Sequence, residues 1–132
     1  MNLQPDKSNA PMVRAHGPGW IEVGHDKHTQ SLLISNVPEV PVRTWAPQNF
    51  EDLQEKHLAV LATLGAELVI LGTGARLQFV PNAWLQTFAQ RRVGLETMDT
   101  AAACRTYNVL ASEGRKVIAA LLIEPMSDRA SE

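Results

Sequence analysis

Two short apolar runs constrain the fold of this chain more than any other feature. Residues 68–71 read Leu-Val-Ile-Leu and residues 117–123 read Val-Ile-Ala-Ala-Leu-Leu-Ile, so neither run alternates apolar with polar side chains. Strands that are apolar throughout are typical of a sheet covered on both faces. We therefore expect both runs to lie in the middle of a layered sheet.

The second half of the chain alternates helical and extended patterns. Its spacing predicts helices over residues 50–64, 82–91 and 100–113, with short strands over residues 77–80 and 93–97. Asn49 and Asp99 are placed as N-caps, while Gly65 and Gly114 are placed to end helices. A strand–helix–strand–helix–strand order predicts parallel pairing with right-handed crossovers, a βαβαβ-like unit in an α/β fold.

The first half is expected to be antiparallel. Residues 20–23 and 31–35 are apolar stretches on either side of a turn-rich string and predict a hairpin, while Pro38 and Pro41 confine residues 40–45 to an edge strand. Residues 1–19 are rich in proline and glycine and predict a disordered arm, and residues 125–132 a flexible tail. We therefore predict a single α/β domain over residues 20–124.

The composition and net charge argue against two classes of partner, nucleic acids and membranes. A net charge of -2 gives no basic excess for nucleic acid, and the longest apolar run is too short to cross a bilayer, so we expect neither nucleic-acid binding nor membrane insertion. Cys104 is the only cysteine, which excludes an internal disulfide and suits a reducing compartment. We expect a soluble, cytoplasmic protein.

Gly72, Thr73 and Gly74 follow the first buried run, where an α/β fold brings backbone N–H groups towards ligands. The functional interpretation is an anion or cofactor loop with Arg76 as a charged handle. The glycine pattern is incomplete for a dinucleotide or phosphate loop, so a tight turn that lets another segment pass close is the favoured alternative.

Glu96, Met98, Asp99 and Thr100 lie where the next strand runs into a helix, at the same expected edge. A carboxylate at position 96 in a buried strand would need a partner, either as an acid or base in a cleft or as an ion pair with Arg115 or Arg76. The alternative is a rim position in water. Asp99 is expected to cap a helix rather than to act in catalysis.

No catalytic or metal-binding set stands out. Cys104 has no histidine near it in sequence and is expected to be a core residue. His25 and His28 flank a turn that offers no clear third metal ligand. We assign no catalytic residue, no metal and no cofactor.

The motifs of the second half, taken together, are specific. They read ELVILGTG at residues 67–74, GLETMDT at 94–100, ACRTYN at 103–108 and EGR at 113–115. This series resembles the small domain shared by uncharacterised bacterial and archaeal proteins, the mitochondrial complex I assembly factor 3 and an adipogenesis-associated vertebrate protein. The resemblance covers about residues 20–123.

The resemblance implies a three-layer α/β fold with a central mixed sheet and an added β-hairpin layer, but no established reaction. Its motif positions here are Gly72, Thr73, Gly74, Glu96, Met98, Thr100, Cys104, Tyr107, Asn108 and Arg115. We expect a non-enzymatic, assembly-type protein that binds other proteins or a second copy of itself. The competing hypothesis is a small-molecule-binding protein or small enzyme with a cleft between residues 72–76 and 96–100. Its candidate pocket residues are Gly72, Thr73, Gly74, Arg76, Glu96, Met98, Asp99, Thr100 and Arg115.

Overall fold

The computed structural model describes residues 10–124, which form two sheets and the helices packed on them. The smaller sheet has the strands β1 (Val13–Gly17), β2 (Trp20–Val23) and β3 (Asp26–His28), all antiparallel. The larger sheet has five strands in the order β5-β4-β8-β6-β7. Among the described residues, no helix is long and apolar enough to cross a membrane.

The larger sheet is mixed, as expected. Its strands are β4 (Leu32–Ser35), β5 (Arg43–Thr44), β6 (Leu68–Gly72), β7 (Gly94–Met98) and β8 (Val117–Leu121). β8 is parallel to β6, which is parallel to β7, while β4 is antiparallel to β8 and to β5. The two apolar runs are therefore neighbours inside the sheet, and the βαβαβ-like order is confirmed.

Two clusters of buried side chains cover the two faces of this sheet. Helices α1 (Glu55–Ala59) and α2 (Gln86–Arg91), with 3-10 turns at Phe50–Asp52, Val60–Thr63 and Asn82–Leu85, pack on one face. Helix α3 (Thr100–Ser112) and the smaller sheet pack on the other. Alternate residues of β6 face the two clusters, with Val69 and Leu71 on one side and Ile70 on the other. The three-layer α/β fold is confirmed.

Two predictions for the first half are wrong. The expected disordered arm includes residues 13–17, which form β1 and pair with β2. Residues 1–9 and 125–132 of the expected arm and tail lie outside the described residues. The expected hairpin also fails, because β2 pairs with β1 and β3 while β4 crosses to the larger sheet.

Turn and capping signals along the chain are confirmed more often than the extents of the predicted helices and strands. Asn49 does cap, and Gly65 has a φ of +98°, but the predicted helix over residues 50–64 breaks at Leu53, whose ψ of 132° is extended. Residues 77–80 form no strand. β5 is an edge strand, as the prolines predict, although it has only two residues.

Candidate functional site

Six of the expected site residues meet where β6 and β7 end and α3 begins. Gly72 lies opposite Met98 in the parallel register, and the Thr73 N–H donates to the Met98 carbonyl at 2.9 Å. The chain then turns at Gly74, which has a φ of +102°, while the other strand continues through Asp99 and Thr100 into the helix. The adjacency expected from parallel strands is therefore present.

Thr100 ties this edge together. Its Oγ1 accepts from the Gly74 N–H at 2.8 Å and donates to the Leu122 carbonyl at 2.8 Å, while its own N–H donates to the Gly74 carbonyl at 2.9 Å. A Cβ on Gly72 would lie 3.0 Å from the Thr100 Cα, so only glycine lets the segments come this close. The glycine turn and the helix start are thus bonded directly, and no cleft separates them at this point.

Thr73 and Asp99 also serve the backbone. Thr73 is fully buried, and its Oγ1 donates to the Arg76 carbonyl at 2.7 Å and accepts from the Gln78 N–H at 3.2 Å. Asp99 accepts from the Ala102 N–H at 2.8 Å, which confirms it as the N-cap of α3. Each side chain satisfies groups that a loop or helix end would otherwise leave unpaired.

Three expected site residues lie apart from this edge. Arg76 is exposed on the loop after Gly74, and Glu96 is exposed on β7, which is an edge strand and not a buried one. Glu96 forms no ion pair with a residue of the described chain, so it has the rim position in water that the sequence left as an alternative.

Arg115 lies at the opposite end of the sheet, two residues before β8 begins. Its Nε is 2.9 Å from Oε1 of Glu67, which directly precedes β6. The hydrogen bond from Arg115 lowers the pKa of Glu67, assisted by the Lys116 N–H. Both side chains are about half exposed. Because Glu67 precedes β6 and Arg115 precedes β8, the ion pair links the beginnings of these two strands, at the opposite end of the sheet from Thr73.

A cavity of about 560 Å³ opens beside the glycine turn, between the start of α3 and the β1–β2 turn. Gly74, Asp99 and Thr100 line it together with residues that the sequence did not assign to a site: His16, Gly17, Trp20, Leu122, Ile123 and Glu124. A volume of this size is in the range of small-molecule sites.

The β1–β2 side of this cavity depends on one aromatic ring. A Cβ on Gly17 would lie 2.6 Å from Nε1 of Trp20, so the glycine makes room for the indole, while Lys27 Nζ lies 5.0 Å from the ring centroid. On the other side, a Cβ on Gly74 would lie 3.2 Å from the Glu124 carboxyl group. The cavity therefore combines an aromatic and apolar lining with two carboxylates, those of Asp99 and Glu124.

The β1–β2 side of the cavity is absent from the sequence-based expectations because residues 1–19 are predicted there as an arm. Gly17-Pro18-Gly19 between two β-prone stretches is a hairpin signal that was available, and Gly19 has the positive φ that such a turn uses. Glu124 offered no signal, since it is merely the last residue before a proline.

The polar motif residues on α3 attach β1 to the helix. The Asn108 side chain accepts from the Val13 N–H at 2.9 Å and donates to the Val13 carbonyl at 2.8 Å. The Tyr107 hydroxyl donates to the Pro11 carbonyl at 2.8 Å. These two side chains therefore hydrogen-bond to backbone groups at the start of β1 and just before it, on the edge that does not pair with β2.

Cys104 lies one turn earlier on α3, in the buried cluster on this face of the larger sheet. It is 1% exposed, and burial raises the pKa of its thiol to about 12. A thiol in this environment stays protonated and is a poor nucleophile, as expected for a core cysteine. Within residues 10–124, no group of three or more His, Cys, Asp or Glu side chains is arranged to bind a metal ion.

Comparison with known sequences identifies the family. Residues 13–122 match the family described as protein of unknown function DUF498/DUF598. The chain belongs to this family. The start of the match at residue 13 agrees with the position of β1 and with the correction to the expected domain start.

The relatives of this chain include bacterial and vertebrate proteins. An uncharacterised protein of Rhodobacter capsulatus is 35% identical over 123 residues, covering 92% of both chains. The complex I assembly factor 3 of Xenopus tropicalis is 35% identical over 125 residues, covering 93% of this chain and 66% of the relative. The human assembly factor is 35% identical over 83 residues, which cover 61% of this chain and only 45% of the relative. The resemblance to the assembly factor is confirmed.

A solved bacterial structure has the same fold. The crystal structure of a Bordetella parapertussis protein superposes with a TM-score of 0.80 at 35% identity, covering 87% of this chain and 97% of that one. The three-layer arrangement is therefore shared with an experimentally determined relative.

Proposed function

We propose that this protein acts without catalysis, as an assembly-type protein that binds other proteins. The similarity to complex I assembly factor 3 supports an assembly-type role. The observation that carries the proposal is that the motif's polar side chains, with the exception of Glu96, are occupied within the fold. Thr73, Thr100 and Asp99 bond the backbone, and the Cys104 thiol is buried. Side chains used in this way position elements and leave little for bond-making chemistry.

The outer edge of β7 is the surface that best fits a protein partner. Gly94 donates to the Glu67 carbonyl and Met98 accepts from the Thr73 N–H, so alternate residues of β7 bond to β6. In a parallel ladder, the residues between them direct their backbone groups the other way. The N–H and C=O groups of Leu95 and Thr97 therefore face outward, and no described residue hydrogen-bonds to them.

The two edges of the sheet differ in how open they are. β5 has two residues and follows Pro41, whereas β7 has five residues, contains no proline or lysine and carries a single charge, on Glu96. Short strands, prolines and charges are the usual protection of an edge. The connection between β6 and β7 also exposes Leu77 and Phe79, the latter to 72%. An extended segment of a partner could add to β7 as a further strand.

Hydrogen exchange tests this proposal within one strand. In the free protein, we expect the amides of Leu95 and Thr97 to exchange rapidly and those of Glu96 and Met98 to be protected by β6. In a partner complex, Leu95 and Thr97 gain protection while the other two change little. A complex that leaves the exchange of Leu95 and Thr97 unchanged would exclude strand addition at β7.

Two substitutions at one position supply the matched binding test. Thr97→Pro removes the outward N–H, whereas Thr97→Val keeps it with a β-branched side chain of similar size. In pull-downs from the protein's own cells, the partner recovered with wild type should be retained by Thr97→Val and lost with Thr97→Pro. Equal recovery with both variants, each confirmed as folded by circular dichroism, would place the partner elsewhere. Light scattering on the purified variants shows whether that partner is a second copy.

The cavity beside Gly74 supports a second candidate function, the binding of a small molecule. Asp99 and Glu124 line it together with His16, and Arg76 does not, so the two carboxylates favour a cationic ligand over an anionic one. A thermal-shift screen of small amines and carboxylates is the test, because a ligand at one hundred times its Kd adds about 2.7 kcal/mol of stability. Stabilisation by amines that disappears in Glu124→Gln would support this function, and a silent screen would reject it.

A further inference from the structure

A second cavity, of about 510 Å³, lies between the edge strand β5 and helix α1, on the opposite face of the larger sheet from α3. Its floor is apolar and consists of Leu33, Trp45 and Leu61, which are 2%, 5% and 1% exposed. All three side chains belong to one core cluster. Val60 lies at its margin and is 50% exposed. A buried apolar floor with an open side suits a ligand that carries a hydrocarbon body.

Three basic side chains line the same cavity. Arg43 comes from β5, while Lys56 and His57 come from α1, so two separate elements contribute them. No acidic residue of the described chain lines the cavity, and no carboxylate in residues 10–124 forms an ion pair with Arg43 or Lys56. Both cations are exposed and available to an anion.

His57 adds a hydrogen-bond donor of fixed orientation. Its Nδ1 accepts from the Gln54 backbone N–H at 2.9 Å, so the neutral ring carries its proton on Nε2. The ring also packs edge-on to Trp45, with 6.4 Å between ring centroids and an interplanar angle of 76°. Nε2 is therefore the nitrogen left to donate to a molecule in the cavity.

The ionisation of His57 agrees with this arrangement. Partial burial is the main cause that lowers the pKa of His57, and the charge of Lys56 lowers it further, with Asp52 opposing. The lowered pKa favours the neutral ring, in which Nε2 carries the proton, and the formal positive charges of the cavity are those of Arg43 and Lys56.

From this geometry we propose that the cavity binds a small amphipathic carboxylate. Its apolar body lies on Val60 and on the small exposed parts of Leu33, Trp45 and Leu61, and its carboxylate is held by Arg43, Lys56 and the Nε2–H of His57. Arginine pairs with a carboxylate through two parallel hydrogen bonds, lysine adds a point charge, and the cavity volume is that of small-molecule sites. This site is distinct from β7 and from the cavity beside Gly74, so it adds a ligand to the proposed function and does not depend on it.

Calorimetry with octanoate tests the proposal, and two related compounds separate its components. Acetate carries the charge without the apolar body, and octylamine carries the apolar body with the opposite charge. We expect octanoate to bind to the full chain and the other two compounds to bind at least tenfold more weakly. Equal affinities for octanoate and octylamine would overturn the charge argument, and an absence of octanoate binding at millimolar concentration would overturn the site.

A matched pair of variants localises the binding. Arg43→Gln removes one cation of the cavity from an exposed strand, while Arg105→Gln makes the same charge change on the exposed face of α3. We expect octanoate affinity to fall about tenfold in Arg43→Gln, which corresponds to about 1.4 kcal/mol, and to be unchanged in Arg105→Gln. Equal losses in both variants would indicate a general effect of net charge and contradict the proposal.

Amide spectra give an independent readout that needs no variant. Octanoate should shift the backbone amide resonances of Leu33, Thr44, His57 and Leu61 and leave those of β7 unchanged. Shifts confined to other parts of the chain would refute the assignment of the cavity even if octanoate binds.

Discussion

Replacing Thr100 by valine tests whether this residue is a structural tie or a ligand-binding group. Valine has nearly the same shape but neither accepts nor donates a hydrogen bond. The substitution removes the 2.8 Å bond from the Gly74 N–H and the 2.8 Å bond to the Leu122 carbonyl. Gly74 and Leu122 are both buried, so each lost bond leaves a backbone group without its partner.

The expected loss follows from these two bonds. A typical intramolecular hydrogen bond contributes about 1 kcal/mol, and leaving a buried group unpaired costs about 1–3 kcal/mol. We therefore expect Thr100→Val to lower the free energy of unfolding by about 2–4 kcal/mol, a large fraction of the roughly 5–15 kcal/mol of a typical domain. With an m-value of about 2 kcal/mol/M, the urea midpoint falls by about 1–2 M.

Thr100→Ser is the matched control, because it keeps the hydroxyl and removes one methyl group. It should lose about 1 kcal/mol or less. The assay is urea unfolding of the full chain, followed by tryptophan fluorescence and circular dichroism. If Thr100→Val were as stable as Thr100→Ser, water from the adjacent cavity would be replacing the hydroxyl, and the interpretation of Thr100 as a tie would be refuted.

Three further predictions concern single side chains. Asp99→Ala should destabilise the protein by about 1 kcal/mol in urea unfolding because the Ala102 N–H loses its cap, whereas Asp99→Asn should retain most of the stability. Burial raises the pKa of the Cys104 thiol to about 12, so this thiol should react slowly with Ellman's reagent in the native protein and fast in urea. Rapid labelling of the native protein would contradict its placement in the core. The pKa of Glu67 is lowered from 4.5, so its stabilising effect is present above pH 4.5 and is lost as the pH falls through the lower folded value. The melting temperature of wild type relative to Glu67→Gln should therefore decrease on acidification, and a constant difference from pH 7 to pH 3 would exclude this ion pair with Arg115.

The layered fold could be predicted because its signals are local. The apolar runs that form β6 and β8 have apolar side chains on both faces, so both faces must be buried whichever strands lie next to them. Asp99 caps a helix through a contact with a residue only three positions away. The glycine turn is also local, since Gly74 needs its positive φ whatever packs against it. These features depend on side-chain size, hydrophobicity and backbone freedom.

Long-range pairing could not be predicted in the same way. β1 has few apolar residues, and it is ordered by β2 and by Tyr107 and Asn108, which lie more than 90 positions away. The same limitation explains the false hairpin, because apolar content did not reveal that β2 and β4 belong to different sheets.

The candidate site shows the same division. The sequence placed Thr73 and Thr100 at one edge from the rule for parallel strands, but it grouped Arg115 with them because the motif order does not reveal which end of a strand a residue occupies. Tertiary structure put Arg115 at the opposite end and brought Trp20 and Glu124 to the cavity.

By itself, the sequence determined which segments must be buried, where helices begin and where the chain must turn, because those properties belong to a residue and its near neighbours. Only the tertiary structure decided which sheet each strand joins, which edge stays open and which charged groups share a cavity. Those outcomes depend on contacts between distant segments, and such contacts form only when the whole core has assembled.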